Sequence, residues 1–207
     1  GMSLPRAHYV KTAQFIDALA QAAESRGVEI LKGAKAERLI TKPGTKEVVG
    51  VTATYNGENV NFYASEGVIL ANGGFGRDEG LLEKFVPVMG VAMGMVGPGC
   101  EGDGLRMAWE LGADVVDLPY IKATFGMHPE GQTIDDLALM FYHGAIIVNQ
   151  DGHRFVNESI NYKALGDEGL AQTGAIGYQI FDQGILEQSR TDALSPVDVL
   201  LEKGFVF

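Results

Sequence analysis

Two stretches of this sequence have residue types and spacing that chemistry uses. The first, Gly97-Pro98-Gly99-Cys100-Glu101-Gly102, fits G-x-G-x-x-G, runs into a helical stretch, and is followed by Asp117 near the spacing of a ribose-contacting acid. A strand should enter the first glycine of such a motif directly. Here residues 86–96 are interrupted by Gly90 and Gly94, and Glu101 would set a negative charge beside a pyrophosphate. Gly102-Asp103-Gly104 reads better as a helix start, with Asp103 as N-cap and its amides open to a ligand. The second stretch is residues 144–162, G-A-I-I-V-N-Q-D-G-H-R-F-V-N-E-S-I-N-Y. Two β-rich runs, 145–148 and 154–156, flank Asn149-Gln150-Asp151-Gly152, and Asp-Gly tolerates the positive φ of a hairpin turn. The polar tail 157–162 then leaves the hairpin, and a rigid hairpin presenting a polar loop is a common support for catalytic groups. An ordinary surface hairpin has the same periodicity. His128 and His143 are equally readable as loop histidines, and Tyr162 as a packing residue with a wet hydroxyl.

Composition narrows the partners. With 207 residues, 46% of them hydrophobic, the chain can bury a core as one large domain or two small ones. A net charge of −11 and no cluster of Lys and Arg argue against nucleic acid or an anionic membrane as partner. The single Cys100 excludes an intramolecular disulfide and fits a reducing compartment, read here as the cytoplasm. Four scattered histidines give no zinc-ligand spacing, so no metal is expected. No apolar run reaches the roughly 18 to 20 residues of a membrane span, and no signal-peptide core is seen. No Ser, His, Asp set stands in a nucleophile-elbow context, so hydrolysis lacks a signature.

The elements that must position these residues read as follows. Apolar residues at Phe15, Ile16, Leu19, Ala20 and Ala23 predict a helix over 9–25 that Gly27 stops. Residues 28–31 read as a short strand. Strands 37–41, 48–55 and 59–64, separated by turn sequences, predict an antiparallel meander. The apolar run 67–71 predicts a buried strand, and the glycines that end it let backbone approach a ligand closely. Asp78 should cap a helix to about Phe85, residues 105–111 a second helix, and 113–118 a strand. Fewer glycines after Pro119 place a domain boundary near 118. Residues 163–172 read as helical and 178–181 as a strand. Ser195-Pro196-Val197-Asp198 opens a last helix through Lys203, with Pro at its first position.

Three segments carry a family resemblance. G-V-I-L-A-N-G-G-F (67–75), G-D-G-L-R-M-A-W-E-L-G-A-D (102–114) and G-A-I-I-V-N-Q-D-G-H-R-F-V-N-E (144–158) occur in the order found in the FAD-dependent fumarate reductase and succinate dehydrogenase flavoproteins. That family includes 3-ketosteroid dehydrogenases, and this chain resembles its central part. The resemblance implies an α+β fold: part of an FAD-binding α/β domain with an antiparallel meander over 1–118, and part of an α+β capping, substrate-binding domain over 119–207. The family's N-terminal βαβ unit should precede Tyr9, and its C-terminal flavin-binding segment should follow Phe207.

By the same resemblance FAD is the cofactor of the complete protein, lined by Ala36, Ala71, Asn72, Gly73, Gly74, Gly102, Asp103 and Gly104. The implied activity is hydride exchange between flavin and a C–C single or double bond next to a carbonyl of a small molecule. The family's two arginines and one glutamate of proton transfer fall at Phe141, Tyr162 and Ala138, counting without gaps from Gly144. Their absence argues against a dicarboxylate, which wants a cationic clamp. N-E-S-I-N-Y resembles the ketosteroid dehydrogenase N-E-S-x-x-Y, which implies a catalytic Tyr162, with Lys163 nearby to support a phenolate and Met140 and Phe141 suited to an apolar substrate. A phenol, with an ordinary pKa of about 10, is a ready proton donor at neutral pH. His128, followed by Pro129 as in the family's His-Pro pair, would polarise a substrate carbonyl. The isolated chain is expected to be inactive and free of flavin. The reading from another class is a non-catalytic piece or binding module.

Overall fold

A computed structural model describes residues 10–191 and 197–206. They form two compact units: one contains the described residues up to Ala71 together with Arg106–Ala113, the other Asn72–Leu105 with the described residues from Asp114 onward.

In the first unit, α1 (Thr12–Glu24) ends as the sequence predicts. Gly27 takes φ +82, the Val28 N–H donates to Ala23 O (3.1 Å), and the Gly27 N–H donates to Glu24 O (2.9 Å), which satisfies the last carbonyls of the helix. Its apolar stripe is half exposed at Phe15, Ile16 and Leu19. Strands β1 (Lys35–Thr41), β2 (Val48–Tyr55) and β3 (Glu58–Tyr63) form an antiparallel sheet in sequence order, the predicted meander. Asn56 and Gly57, at φ 53 and 82, make the two-residue turn whose handedness matches strand twist. The central β2 buries Gly50, Thr52 and Ala53, and the Thr52 hydroxyl donates to Asn61 Oδ1 (2.8 Å).

Neither of the other strands expected in this unit forms. Residues 28–31 and 67–71 have no ladder partner among the described residues, and Ile69 is 91% exposed. An apolar run becomes a strand only where neighbours satisfy its amides. Val68 and Leu70 nevertheless face the meander, lining with Leu39, Val48 and Leu111 an open groove of about 420 Å³.

The second unit holds α2 (Glu79–Phe85), capped by Asp78, whose Oδ1 accepts the Leu81 N–H at 2.8 Å. It also holds the first turn of α3 (Asp103–Glu110). Beyond residue 113 come β4 (Ile146–Val148), α4 (Tyr162–Leu170), β5 (Tyr178–Ile180), α5 (Gln183–Ser189) and α6 (Val197–Glu202). The predicted Ser195 and Pro196 start of α6 lies outside the described residues. No strand forms at 113–118, where Asp117 at φ 61 breaks the extended run and Val116 is 80% exposed.

The predicted hairpin at 145–156 forms its turn but not its second arm. The Asn149 N–H donates to His153 O (2.9 Å) and the Gly152 N–H to Asn149 O (3.0 Å), yet only the bridge Val148 with Arg154 follows. The ladder partner of β4 is β5, in the register Ile147 with Gln179. On the other side of β4 the Ile147 N–H donates to the Glu158 carboxylate at 2.7 Å, so a side chain takes the place of a strand.

A 3-10 turn, Met140–His143, lies between two apolar clusters. Phe141 joins Phe125, Ile147 and Leu165; Met140 joins Ala145 and Val197. Helix α4 approaches the chain at 123–125 because Gly166 has no side chain: a Cβ there would fall 2.5 Å from Ala123 O. Leu165 is fully buried beside Phe141. Leu165→Ala should therefore lower unfolding free energy by about 2–5 kcal/mol, read as a fall in the denaturant midpoint at unchanged slope.

Candidate functional site

Two glycine turns thirty residues apart in sequence meet in the second unit. The Gly102 N–H donates to Gly74 O (3.1 Å) and the Arg77 N–H to Cys100 O (3.0 Å). Gly73 and Gly102 take φ +82 and +78, conformations that side-chain-bearing residues rarely adopt. The Asn72 side chain lies across Gly104, where a Cβ would fall 2.1 Å from Asn72 Oδ1, and a Cβ on Gly73 would meet Cys100 Sγ at 2.9 Å. Beneath, buried Gly102 rests on Leu81 and Phe75, and the Phe75 ring meets Phe85 edge-on at 6.4 Å. Asn72, Gly73 and Gly74 stay exposed, so this is a backbone surface on which a flat ligand can lie with no Cβ in its way.

Asp103 is the first residue of α3 and not its cap; Gly102 makes the preceding turn, and the carboxylate supplies negative charge to the first turn of the helix. In the G-x-G-x-x-G at 97–102 the Cys100 N–H donates to Gly97 O (3.0 Å), the Gly102 N–H is taken by Gly74, and no strand enters Gly97. The remaining two cofactor candidates belong to the first unit. Ala36 is half-buried in β1 opposite Ala53, and Ala71 is exposed after residues 67–70.

The candidates from residue 128 onward are held by separate devices. Asn161 caps α4, its Oδ1 accepting the Lys163 and Ala164 N–H groups (both 3.1 Å), so Tyr162 stands at the first helical position with half its surface exposed. The tail before it is pinned through Glu158. Burial pushes the Glu158 carboxyl up, but the Arg154 guanidinium and the Ile147 N–H outweigh it and hold the group below its ordinary value. Arg154 binds bidentately, Nη2 to Oε2 at 2.6 Å and Nε to Oε1 at 3.1 Å. Burial, and then the charge of the Tyr162 phenol, raise the Tyr142 hydroxyl above its usual value.

His128 stacks on Phe205 with ring centroids 3.7 Å apart and planes 8° from parallel. Its Nδ1 accepts the Glu130 N–H (3.2 Å), which leaves the hydrogen of the neutral ring on Nε2. No hydrogen bond links His128 with Tyr162 among the described residues. Met140 and Phe141, expected to suit an apolar substrate, are instead buried in the two clusters and do not line an open site. Ala138 O and the Phe141 N–H are both bonded to the Gln179 amide, at 2.6 and 3.0 Å. Gln179, the polar middle residue of β5, gives no sequence signal for this clasp.

The profile of the FAD binding domain family matches residues 2–190. The chain belongs to this FAD-binding flavoprotein family. A fumarate reductase (cytochrome) of Shewanella frigidimarina is 32% identical over 180 residues, covering 87% of this chain and 29% of that protein. The open conformation of a flavocytochrome c3 fumarate reductase matches with a TM-score of 0.72 at 26% identity, over 89% of this chain and 33% of that one. A 3-ketosteroid-Δ4-(5α)-dehydrogenase from Rhodococcus jostii RHA1, solved with 4-androstene-3,17-dione, gives 0.66 at 26% identity, over 86% and 35%. The chain thus spans about a third of the length of these flavoproteins.

FAD is the cofactor of the complete protein. On the glycine surface Gly74 faces open space and a Cβ on Gly104 would run into the Asn72 side chain, so the residues present leave room for a flat group of this kind. Among the described residues no group of His, Cys, Asp and Glu could hold a metal ion, and no helix is long and apolar enough to cross a membrane.

The Glu158 anchor can be tested directly. Glu158→Gln should cost about 1–3 kcal/mol of stability, read by denaturant unfolding, because it removes a charged acceptor from two donors. Since the folded carboxyl is held low, its contribution is fully present above the ordinary carboxylate range and lost as pH falls through the folded value. The difference between wild type and variant should therefore shrink with acidification and stay constant above neutrality.

Proposed function

We propose that the complete protein is an FAD-dependent oxidoreductase acting on a C–C bond next to a carbonyl of a small molecule, with Tyr162 as its proton-transfer group. The observation that carries this reading is the placement of Tyr162: half exposed, at a capped helix start, after a tail pinned by Glu158. In the complete protein we assign residues 1–118 to the FAD-binding part and 119–207 to the cap. Asn72, Gly73, Gly74, Gly102, Asp103 and Gly104, with Ala36 and Ala71, would hold the cofactor. When bound, FAD supplies hydride exchange with one carbon of the substrate bond.

Tyr162 moves the proton at the neighbouring carbon, donating its O–H when the bond is saturated and accepting as phenolate when it is formed. Lys163 follows Tyr162 in α4. His128 donates its Nε2 hydrogen to the carbonyl oxygen and draws off the charge that develops there. A fumarate-type proton path is disfavoured, because Phe141 is 4% exposed in the core and Ala138 offers only its carbonyl, already bonded to Gln179. The net charge of −11 supports a small-molecule partner over nucleic acid or membrane, and the lone Cys100 supports the cytoplasm.

In the complete enzyme Tyr162→Phe should keep FAD and fold but lower single-turnover flavin reduction by about 100- to 10,000-fold. A near-native rate would move the proton to another group. Gly104→Ala forces the Asn72 side chain aside, so FAD should bind the complete protein about tenfold more weakly, close to one net hydrogen bond. Flavin fluorescence titration reads this, and the isolated 207-residue chain, whose Cys100 and Gly102 amides are already bonded within the protein, should bind FAD weakly or not at all. Stoichiometric micromolar binding by the isolated chain would overturn that expectation.

A further inference from the structure

We propose that Lys203 and Phe205 are positioning residues for His128, seating its imidazole in one orientation with the Nε2 hydrogen available to donate. The proposal rests on the reading of His128 as the carbonyl donor. Its basis is a chain of contacts within the second unit. Helix α6 ends at Glu202, and Gly204, at φ +71, turns the chain, with the Gly204 N–H donating to Leu201 O (3.0 Å) and the Phe205 N–H to Leu200 O (2.9 Å). This glycine stop folds Phe205 back beside the helix instead of letting the chain run on. Leu200, fully buried, roots the stop.

Lys203, one residue earlier, reaches Asp136 in an ion pair, and its ammonium lies 5.9 Å from the Phe205 ring. Asp136 is itself fixed. Its Oδ2 accepts the N–H groups of Gln132 (2.8 Å) and Thr133 (3.0 Å), and the residue is 1% exposed. Lys203, and then the Gln132 N–H, hold its carboxyl far below the usual carboxylate range. The Asp136 carbonyl accepts the His128 N–H (3.3 Å), so the same residue holds the histidine backbone and the lysine that flanks its stacking partner.

The stack and the Glu130 N–H at Nδ1 then leave the imidazole neither a free face toward Phe205 nor a free lone pair. A surface histidine needs none of this. A donor aimed at a carbonyl does, because its rotamer and tautomer must be set before substrate arrives.

The test is the rate at which diethyl pyrocarbonate acylates each histidine of the complete protein, resolved by peptide mass spectrometry. The reagent attacks the unprotonated ring nitrogen, here the hydrogen-bonded Nδ1. Phe205→Leu and Lys203→Met should each accelerate labelling of His128 roughly two- to tenfold, the range implied by loss of an aromatic pair, while His143 and His153 keep their rates. Phe205→Tyr, which keeps the ring, should label like wild type. In turnover, Phe205→Leu should lower kcat more than it changes KM. An unchanged His128 rate in both variants overturns the proposal. So does equal acceleration at His128, His143 and His153, since Lys203 and Phe205 would then be holding the fold and not one side chain. If labelling responds as expected while His128→Gln leaves turnover intact, the positioning stands and the carbonyl role of His128 falls.

Discussion

The Glu158 carboxylate is the interaction on which the candidate site depends most. It accepts the Ile147 N–H that would otherwise seek a strand, and it binds Arg154 through two nitrogens. Charge-assisted bonds to a nearly buried carboxylate are stronger than neutral ones, and the bidentate geometry fixes direction as well as distance. Arg154 itself is more than half exposed, so the value of the pair lies in holding Glu158 in place against β4 and not in surface Coulomb attraction. Glu158 thus ties the tail 157–162 to β4. Asn161 then begins α4, and Tyr162 is delivered to the surface.

The glycine surface is built by a different principle, the lack of side chains where its two turns meet. Gly74 and Gly102 join two remote turns through one backbone bond, and Gly104 gives the Asn72 amide a place to lie. A surface made of backbone can be both close to a planar ring system and rich in donors, which side chains would prevent. The aromatic pair Phe75 and Phe85 and the buried Leu81 keep it from collapsing.

Family membership and chemistry separate at residues 138–162. At the two positions where the family resemblance implies proton-transfer groups the chain has Ala138 and Phe141, one bonded through its backbone and the other inside the core. Packing has taken over these positions: Phe141 meets Phe125 edge-on at 6.3 Å and lies beside Leu165. The tyrosines at 142 and 162 stay at the surface, where a phenol can meet a ligand.

Local rules in the sequence determined much of this protein. The meander, the Asp78 cap, the Gly27 stop and α4 rest on turn residues, capping groups and periodicity, whose physics acts within a few residues and is therefore readable in order. The glycine segments flagged at 73–74 and 102–104 were legible for the same reason, since close backbone approach demands that residue type. Only the tertiary structure decided which strand β4 would pair with, that 28–31, 67–71 and 113–118 would not be strands, that Met140 and Phe141 would be core, and that His128 would lie on Phe205. Each of these turns on a partner distant in sequence: Glu158 at an amide of β4, Gln179 on the turn at 140–143, Lys203 on Asp136. A strand's hydrogen bonds and a side chain's orientation are properties of what lies opposite, and the sequence names the candidates without saying which of them will arrive.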